Sequence, residues 1–316
     1  MISTDILRQV LTDNRNLVAQ KKVFPRDIEI GELPRCVLVG VRRSGKSYLL
    51  FSKIQSLLAS GHSWDKVLYV NFEDERLMGF DVADFNKLLE VQAELSGKDS
   101  LPALFLDEVQ LIDGWEKFAR RMADAQAEIY ITGSNAKMLS IQIAAALGGR
   151  FLTVNVFPLN FSEYLKAKGV AVRKDVWSST TGKARILREF AEFFEYGGLP
   201  ECVQFSNKLE YINSVFQKIY LGDIIVRNKV TNALPLRILL KKVAESIGQP
   251  VSFTRLTNVI QSTGAKLARH LHKLYAIRLR GVPGVADLQY CRQVAGTRMQ
   301  PEVLLCGQWL HSFAQD

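Results

Sequence analysis

The octapeptide Gly40-Val41-Arg42-Arg43-Ser44-Gly45-Lys46-Ser47 fits the spacing G-x-x-x-x-G-K-[ST], the phosphate-cradling P-loop. Each residue type has a task there. The glycines let consecutive backbone N–H groups turn inward onto phosphate oxygens. A helix that starts at the loop adds the partial positive charge of its N-terminus. Lys46 reaches the β- and γ-phosphates and the Ser47 hydroxyl sits on Mg²⁺. The stretch from Gly40 to Ser47 is therefore expected to bind a nucleoside triphosphate.

About 60 residues further on, Leu101-Pro102-Ala103-Leu104-Phe105-Leu106 runs into Asp107-Glu108. An apolar strand that ends in two adjacent carboxylates is the Walker B pattern. Asp107 is expected to hold Mg²⁺ through water, and Glu108 to orient or deprotonate the attacking water. The adjacent pair suits water activation, which disfavours a kinase acting on a small molecule. A third polar point follows Ile129-Tyr130-Ile131-Thr132-Gly133. Ser134 and Asn135 point to opposite faces there, and either could reach between the γ-phosphate and the acidic pair. Asn135 is the preferred candidate. The alternative is a cap for a helix over residues 136–143, where serine and asparagine are favoured.

These residues need strands and helices in alternation. Cys36-Val37-Leu38-Val39 reads as a strand before the loop, and Tyr48 to Leu58 as the helix after it. Val67 to Phe72 is nearly all apolar, as a strand buried on both faces should be. Helical period marks residues 3–20, 84–95 and the stretch through Trp115, Phe118 and Met122. Ile28-Glu29-Ile30 reads as a short edge strand, and Phe151 to Val156 as a last alternating strand. The pattern predicts an α/β fold, a doubly wound parallel sheet with its ligand at the carboxyl ends of the strands. Beyond Pro158 it turns helical over 161–166, 184–196 and 209–226, broken at Gly197-Gly198-Leu199-Pro200, with two more amphipathic helices at 235–247 and 253–261.

Composition narrows the class without naming a partner. Apolar residues at 47% and charged residues at 23% describe an ordinary globular protein. The net charge of +9 permits an anionic partner. Part of it lies in residues 266–316, with seven Lys/Arg against three acids. Cys36, Cys202, Cys291 and Cys306 lack metal-ligand or disulfide-framework spacing. With no basic-then-apolar leader and no apolar run near the ~18 residues of a membrane span, the expectation is a cytoplasmic protein that enters no membrane.

Taken together, several stretches resemble a family of prokaryotic AAA-type ATPases, often labelled only as ATP-binding proteins. They are Val37 to Ser47, Val70-Asn71-Phe72-Glu73-Asp74, Leu106-Asp107-Glu108-Val109-Gln110 and Thr132-Gly133-Ser134-Asn135-Ala136. Gly149-Arg150-Phe151, Phe157-Pro158-Leu159-Asn160-Phe161-Ser162-Glu163-Tyr164 and Tyr196-Gly197-Gly198-Leu199-Pro200 continue the series in order. The resemblance covers roughly residues 30 to 265. It implies a P-loop ATPase core over 1–157, a helical lid over 158–230 and a winged-helix-like segment over 231–316. It implies ATP as the triphosphate. It also implies a homo-oligomer in which an arginine from one subunit completes its neighbour's site, and Arg150 is the position that matches. After Gly264-Ala265-Lys266 the family pattern is lost, as a truncation or a shifted frame would leave it. The leading expectation is Mg²⁺-dependent ATP hydrolysis that drives a conformational switch. The alternative is a nucleotide-regulated module that contacts DNA through the basic C-terminal helices.

Overall fold

The computed structural model describes residues 2–28, 30, 34–97, 100–134, 147–171 and 179–219, together with Leu221, Ile225 and Ile238. The chain divides into two compact units, Met1–Phe157 and Pro158–Asp316.

Unit 1 is built on five parallel strands: β1 (Arg35–Gly40), β2 (Val67–Asn71), β3 (Ala103–Asp107), β4 (Ile129–Ser134) and β5 (Leu152–Val156), in the order β2-β3-β4-β1-β5. Their alternation divides the core into two layers. Val37, Val39, Leu68, Val70, Leu104, Leu106, Ile129 and Ile131 face one layer, while Cys36, Leu38, Val67, Tyr69, Phe105 and Tyr130 face the other. This is why the middles of β1 to β4 read as apolar runs: both faces are covered there, whereas the edge strand β5 leaves Leu152, Thr153 and Asn155 exposed. Each fully buried Leu, Val or Phe contributes roughly 1.5–3 kcal/mol.

The helices supply the covers. Ser3 caps α1 (Thr4–Gln20), and Leu7, Val10, Leu11 and Val18 form its buried stripe. Helix α2 (Lys46–Ala59) buries Leu49, Leu50, Phe51 and Ile54. Helices α3 (Asp84–Ser96) and α4 (Trp115–Asp124) meet through stacked Phe85 and Phe118 rings with centroids 4.1 Å apart.

The edge strand expected at Ile28-Glu29-Ile30 is not found: Ile28 and Ile30 lie outside any strand. Both hydrogen-bonding edges of β1 are taken, by β4 and β5. Ile28 and Ile30 therefore reach the core through their side chains.

In unit 2, Asn160 caps α5 (Phe161–Ala167) in a reciprocal box with Glu163. Helix α6 (Thr180–Tyr196) starts four residues earlier than its apolar period suggests, because the Ser179 side chain accepts the Gly182 N–H. Helix α7 (Lys208–Gln217) follows a tight turn over Pro200–Val203. The two motifs of this unit hold each other: the Leu159 N–H donates to the Gly198 carbonyl at 2.7 Å. A Cβ on Gly198 would lie 2.0 Å from the Leu159 carbonyl oxygen. Lys168 bonds Glu189 and Glu192, each at 2.8 Å. Apart from Ile238, the expected winged-helix-like segment lies outside the described residues. Among those residues no helix is long and apolar enough to cross a membrane.

Candidate functional site

Strand β1 delivers the chain to Gly40, and the loop that follows closes on itself, with the Ser44 N–H on the Val41 carbonyl at 3.2 Å. Arg43 (φ 64°) and Gly45 (φ 96°) both occupy the left-handed region. Alternation of this kind turns backbone N–H groups toward one side and makes an anion-sized concavity. Gly45 is also the residue before α2, so the first orphan N–H groups of that helix open into the same place. Gly40 is a glycine for a different reason. A Cβ there would lie 2.1 Å from the Val156 carbonyl oxygen of β5 and 2.9 Å from Ser44 Oγ.

Lys46 and Arg42 of the loop are engaged within the protein. The Lys46 ammonium is buried and donates to the carbonyls of Gly40 (3.2 Å) and Val41 (3.0 Å). Burial pulls its pKa down, while the charges of Glu108 and Asp107 push it back up. Arg42 pairs with Glu73 at 2.7 Å. Arg26, from the segment before β1, donates to the Ser44 carbonyl at 3.1 Å and the Phe157 carbonyl at 2.8 Å. Ser44 Oγ is fully buried and has no partner among the described residues.

One strand, β4, separates β1 from β3, so their ends lie about 10 Å apart. Ser47, at the start of α2, spans the gap and its hydroxyl bonds the Asp107 carboxylate. Asp107 is only 1% exposed. Burial pushes its pKa up, opposed by hydroxyls from Thr132, Ser47 and Tyr69 and by the Lys46 charge. Tyr69 donates to Oδ2 at 2.9 Å from β2, and Thr132 donates to Oδ1 from β4. The carboxylate is thus gripped from both neighbouring strands. Glu108 leaves the strand in the left-handed region (φ 53°). Its N–H donates to Thr132 Oγ1 at 2.9 Å, and its carboxylate accepts from the Gln110 amide. Burial raises the Glu108 pKa and Lys46 opposes the rise.

The two sequence-predicted clusters, Gly40 to Ser47 and Asp107-Glu108, therefore come together at the carboxyl ends of the strands. Asn135 lies outside the described residues. Arg150 is elsewhere. It precedes β5, whose Leu152 pairs with Cys36 near the start of β1, and it bonds Asp124 at 2.7 Å. Gly40 lies four steps along the strand from Cys36, about 13 Å along the sheet. Arg150 thus belongs to the opposite end of the sheet from the P-loop of its own chain. Sequence reading missed Tyr69, Thr132 and Gln110. The signal for Thr132 was an aliphatic hydroxyl between Ile131 and Gly133, near the carboxyl end of a strand built up to that point of isoleucine and tyrosine.

A family model described as an AAA domain matches residues 34–165. An uncharacterized protein of Methanocaldococcus jannaschii is 35% identical over 275 residues, which are 85% of this chain and 60% of that protein. An uncharacterized protein of Haemophilus influenzae is 32% identical over 243 residues, 76% of this chain and 58% of that protein. The chain thus spans about three fifths of the length of the curated relatives it matches. A closed-state structure of Hsp104 with ATPγS and FITC casein aligns with 95% of this chain and 53% of its own. At a TM-score of 0.36 and 13% identity, that likeness carries no argument. Residues 34–165, with their parallel sheet and P-loop, thus form a domain of the AAA-type P-loop ATPase family.

Proposed function

We propose that this chain binds ATP and hydrolyses it with Mg²⁺ at the carboxyl end of its sheet. The observation that carries this reading is the meeting of Ser47 with Asp107 while Lys46 lies in the field of both acids. A hydroxyl beside a carboxylate is a hard-oxygen donor set suited to Mg²⁺. The loop fits the triphosphate too: its left-handed turns, the helix N-terminus and the buried Ser44 hydroxyl all face an anion's needs.

Each residue then has a role. The N–H groups from Val41 to Ser47 hold phosphate oxygens. Lys46 exchanges the carbonyls of Gly40 and Val41 for the β- and γ-phosphates. Ser47 and Asp107 would hold Mg²⁺, which offsets the negative charge that develops on the phosphates. Glu108 orients the attacking water and accepts its proton. Asn135 is proposed as the polar sensor of the γ-phosphate. Arg150, remote from its own P-loop, is proposed to serve the site of a neighbouring subunit. The finer architecture is proposed on the same footing: core 1–157, lid 158–230, winged-helix-like segment 231–316, with hydrolysis switching core against lid. The DNA-contacting alternative rests on residues beyond 231, and no described residue favours it.

Phosphate release from ATP, with Mg²⁺ and after its removal by chelation, tests the reading. Release is expected only with Mg²⁺, and Glu108→Gln is expected to bind ATP but stall hydrolysis. Turnover by Glu108→Gln within about twofold of the parent would remove Glu108 from this role. For Arg150, the mutant Arg150→Ala is expected to bind ATP and hydrolyse it slowly. Mixing it with Lys46→Ala should restore activity, because an intact P-loop then meets an intact Arg150 at mixed interfaces. Failure of that rescue confines Arg150 to a role within one chain.

A further inference from the structure

If Glu108 handles the attacking water, its carboxylate must be held still, and nothing in the acidic pair itself does this. The backbone at Glu108 turns left-handed immediately after β3. Thr132 Oγ1 accepts the Glu108 N–H at 2.9 Å and so pins the turn to β4. Val109–Leu111 then wind into one tight turn, with the Leu111 N–H on the Glu108 carbonyl at 3.2 Å. That turn folds the chain back on itself and brings the Gln110 amide onto Glu108 Oε2. Gln110 is only 5% exposed and its neighbour Val109 is fully buried. Glutamine and glutamate have the same three side-chain torsions. Gln110 is buried while Glu108 is only partly so, and burial therefore holds the amide more firmly than the carboxylate.

From this geometry we infer that Gln110 is the positioning residue of the site, fixing the Glu108 carboxylate by a hydrogen bond from its side-chain amide to Oε2. The inference rests on the proposed role of Glu108. Gln110 acts through Glu108 and touches neither nucleotide nor metal. The donor occupies one carboxylate oxygen and leaves the lone pairs of the other for water. A glutamine is suited to this task because its amide donates while carrying no charge. A lysine there would compete with Lys46 for the carboxylates, and a glutamate would repel Glu108.

The test is a double-mutant cycle read by single-turnover hydrolysis on the full chain, with protein in excess over ATP and ATP affinity measured alongside. Gln110→Met keeps the length and much of the volume and removes the donor. Its rate constant is expected to fall roughly ten- to a hundredfold, the scale of a catalytic group displaced by about 1 Å. ATP affinity should stay within about twofold, since the group acts on water and not on phosphate. In the Glu108→Gln background the same change should cost almost nothing further, because the group it positions is already lost. If Gln110→Met loses ATP binding, Gln110→Leu, which also removes the donor without adding charge, is read in the same cycle with the same expectations. Parent-like hydrolysis in a Gln110 variant that binds ATP, while Glu108→Gln is stalled, overturns the inference alone. A loss equally large in both backgrounds also overturns it and makes Gln110 structural. Parent-like hydrolysis by Glu108→Gln fails the underlying reading instead, and the two failures are distinct.

Discussion

Gly40 in unit 1 and Gly198 in unit 2 face the same obstacle. A Cβ on the first would lie 2.1 Å from the Val156 carbonyl, and on the second 2.0 Å from the Leu159 carbonyl. Both belong to glycine-bearing motifs, yet their surroundings differ in kind. Around Gly40 the chain buries Ser44, Lys46, Asp107, Thr132 and Gln110 within a few residues of the strand ends. The buried acids of unit 2, Glu163 and Glu189, are answered by a helix cap and by Lys168. A glycine in a motif thus records a close approach of backbones. What marks a chemical site is the set of buried polar groups gathered beside it, held at a cost in desolvation.

The sharpest break between the two regions is Lys46→Ala, which should abolish ATP binding in calorimetry, because the loop loses its charge against the β- and γ-phosphates. Equal affinity in mutant and parent would refute the assignment. Next come the glycines. Gly40→Ala and Gly198→Ala should each destabilise by about 1–3 kcal/mol or more, the range for forcing atoms into packed space. Only Gly40→Ala should also weaken nucleotide binding in proportion beyond its loss of stability. Denaturant melts and ATP titrations that respond alike in both would show that the two glycines do not differ in this way. Thr132→Val should cost about 1–3 kcal/mol in stability, since the Glu108 N–H loses its acceptor and Asp107 a donor. Chemical denaturation of the two proteins checks this. The smallest effect is expected at Glu192 in unit 2. Burial alone raises its pKa, but hydrogen bonds from Lys168 and Lys208 hold it below the ordinary carboxylate value. A depressed folded-state pKa gives stability that is present above the unfolded value, near 4.5. That stability fades as the pH falls through the folded value. Lys168→Met should flatten this acid limb by less than about 1 kcal/mol, visible as a shallower loss of stability below about pH 5.

Legibility differed between these regions for physical reasons. The P-loop and the acidic pair were readable because their work demands fixed residue types at fixed spacing within one short segment. The strands were readable because burial on both faces removes polar residues. Tyr69 and Thr132 were not, since each acts across strands. Only the order β2-β3-β4, with Asn71 opposite Asp107 and Leu106 opposite Ile131, brings them to the carboxylate. Strand order is set by packing over the whole sheet and leaves no local trace. Gln110 escaped for another reason: its partner is two residues away, and only the left-handed turn at Glu108 lets it fold back. The early start of α6 was hidden by Gly182, whose lack of a side chain breaks the periodic signal.

The contact between Gly40 and Val156 has a mechanical consequence. Among the described residues strand β5 sits at the sheet edge and pairs only with β1, and the chain leaves unit 1 one residue after it, at Phe157. Arg26 fastens that same exit to the loop by holding the carbonyls of Ser44 and Phe157 together. The edge strand, the P-loop and the exit at Phe157 are thus tied together by one small set of contacts.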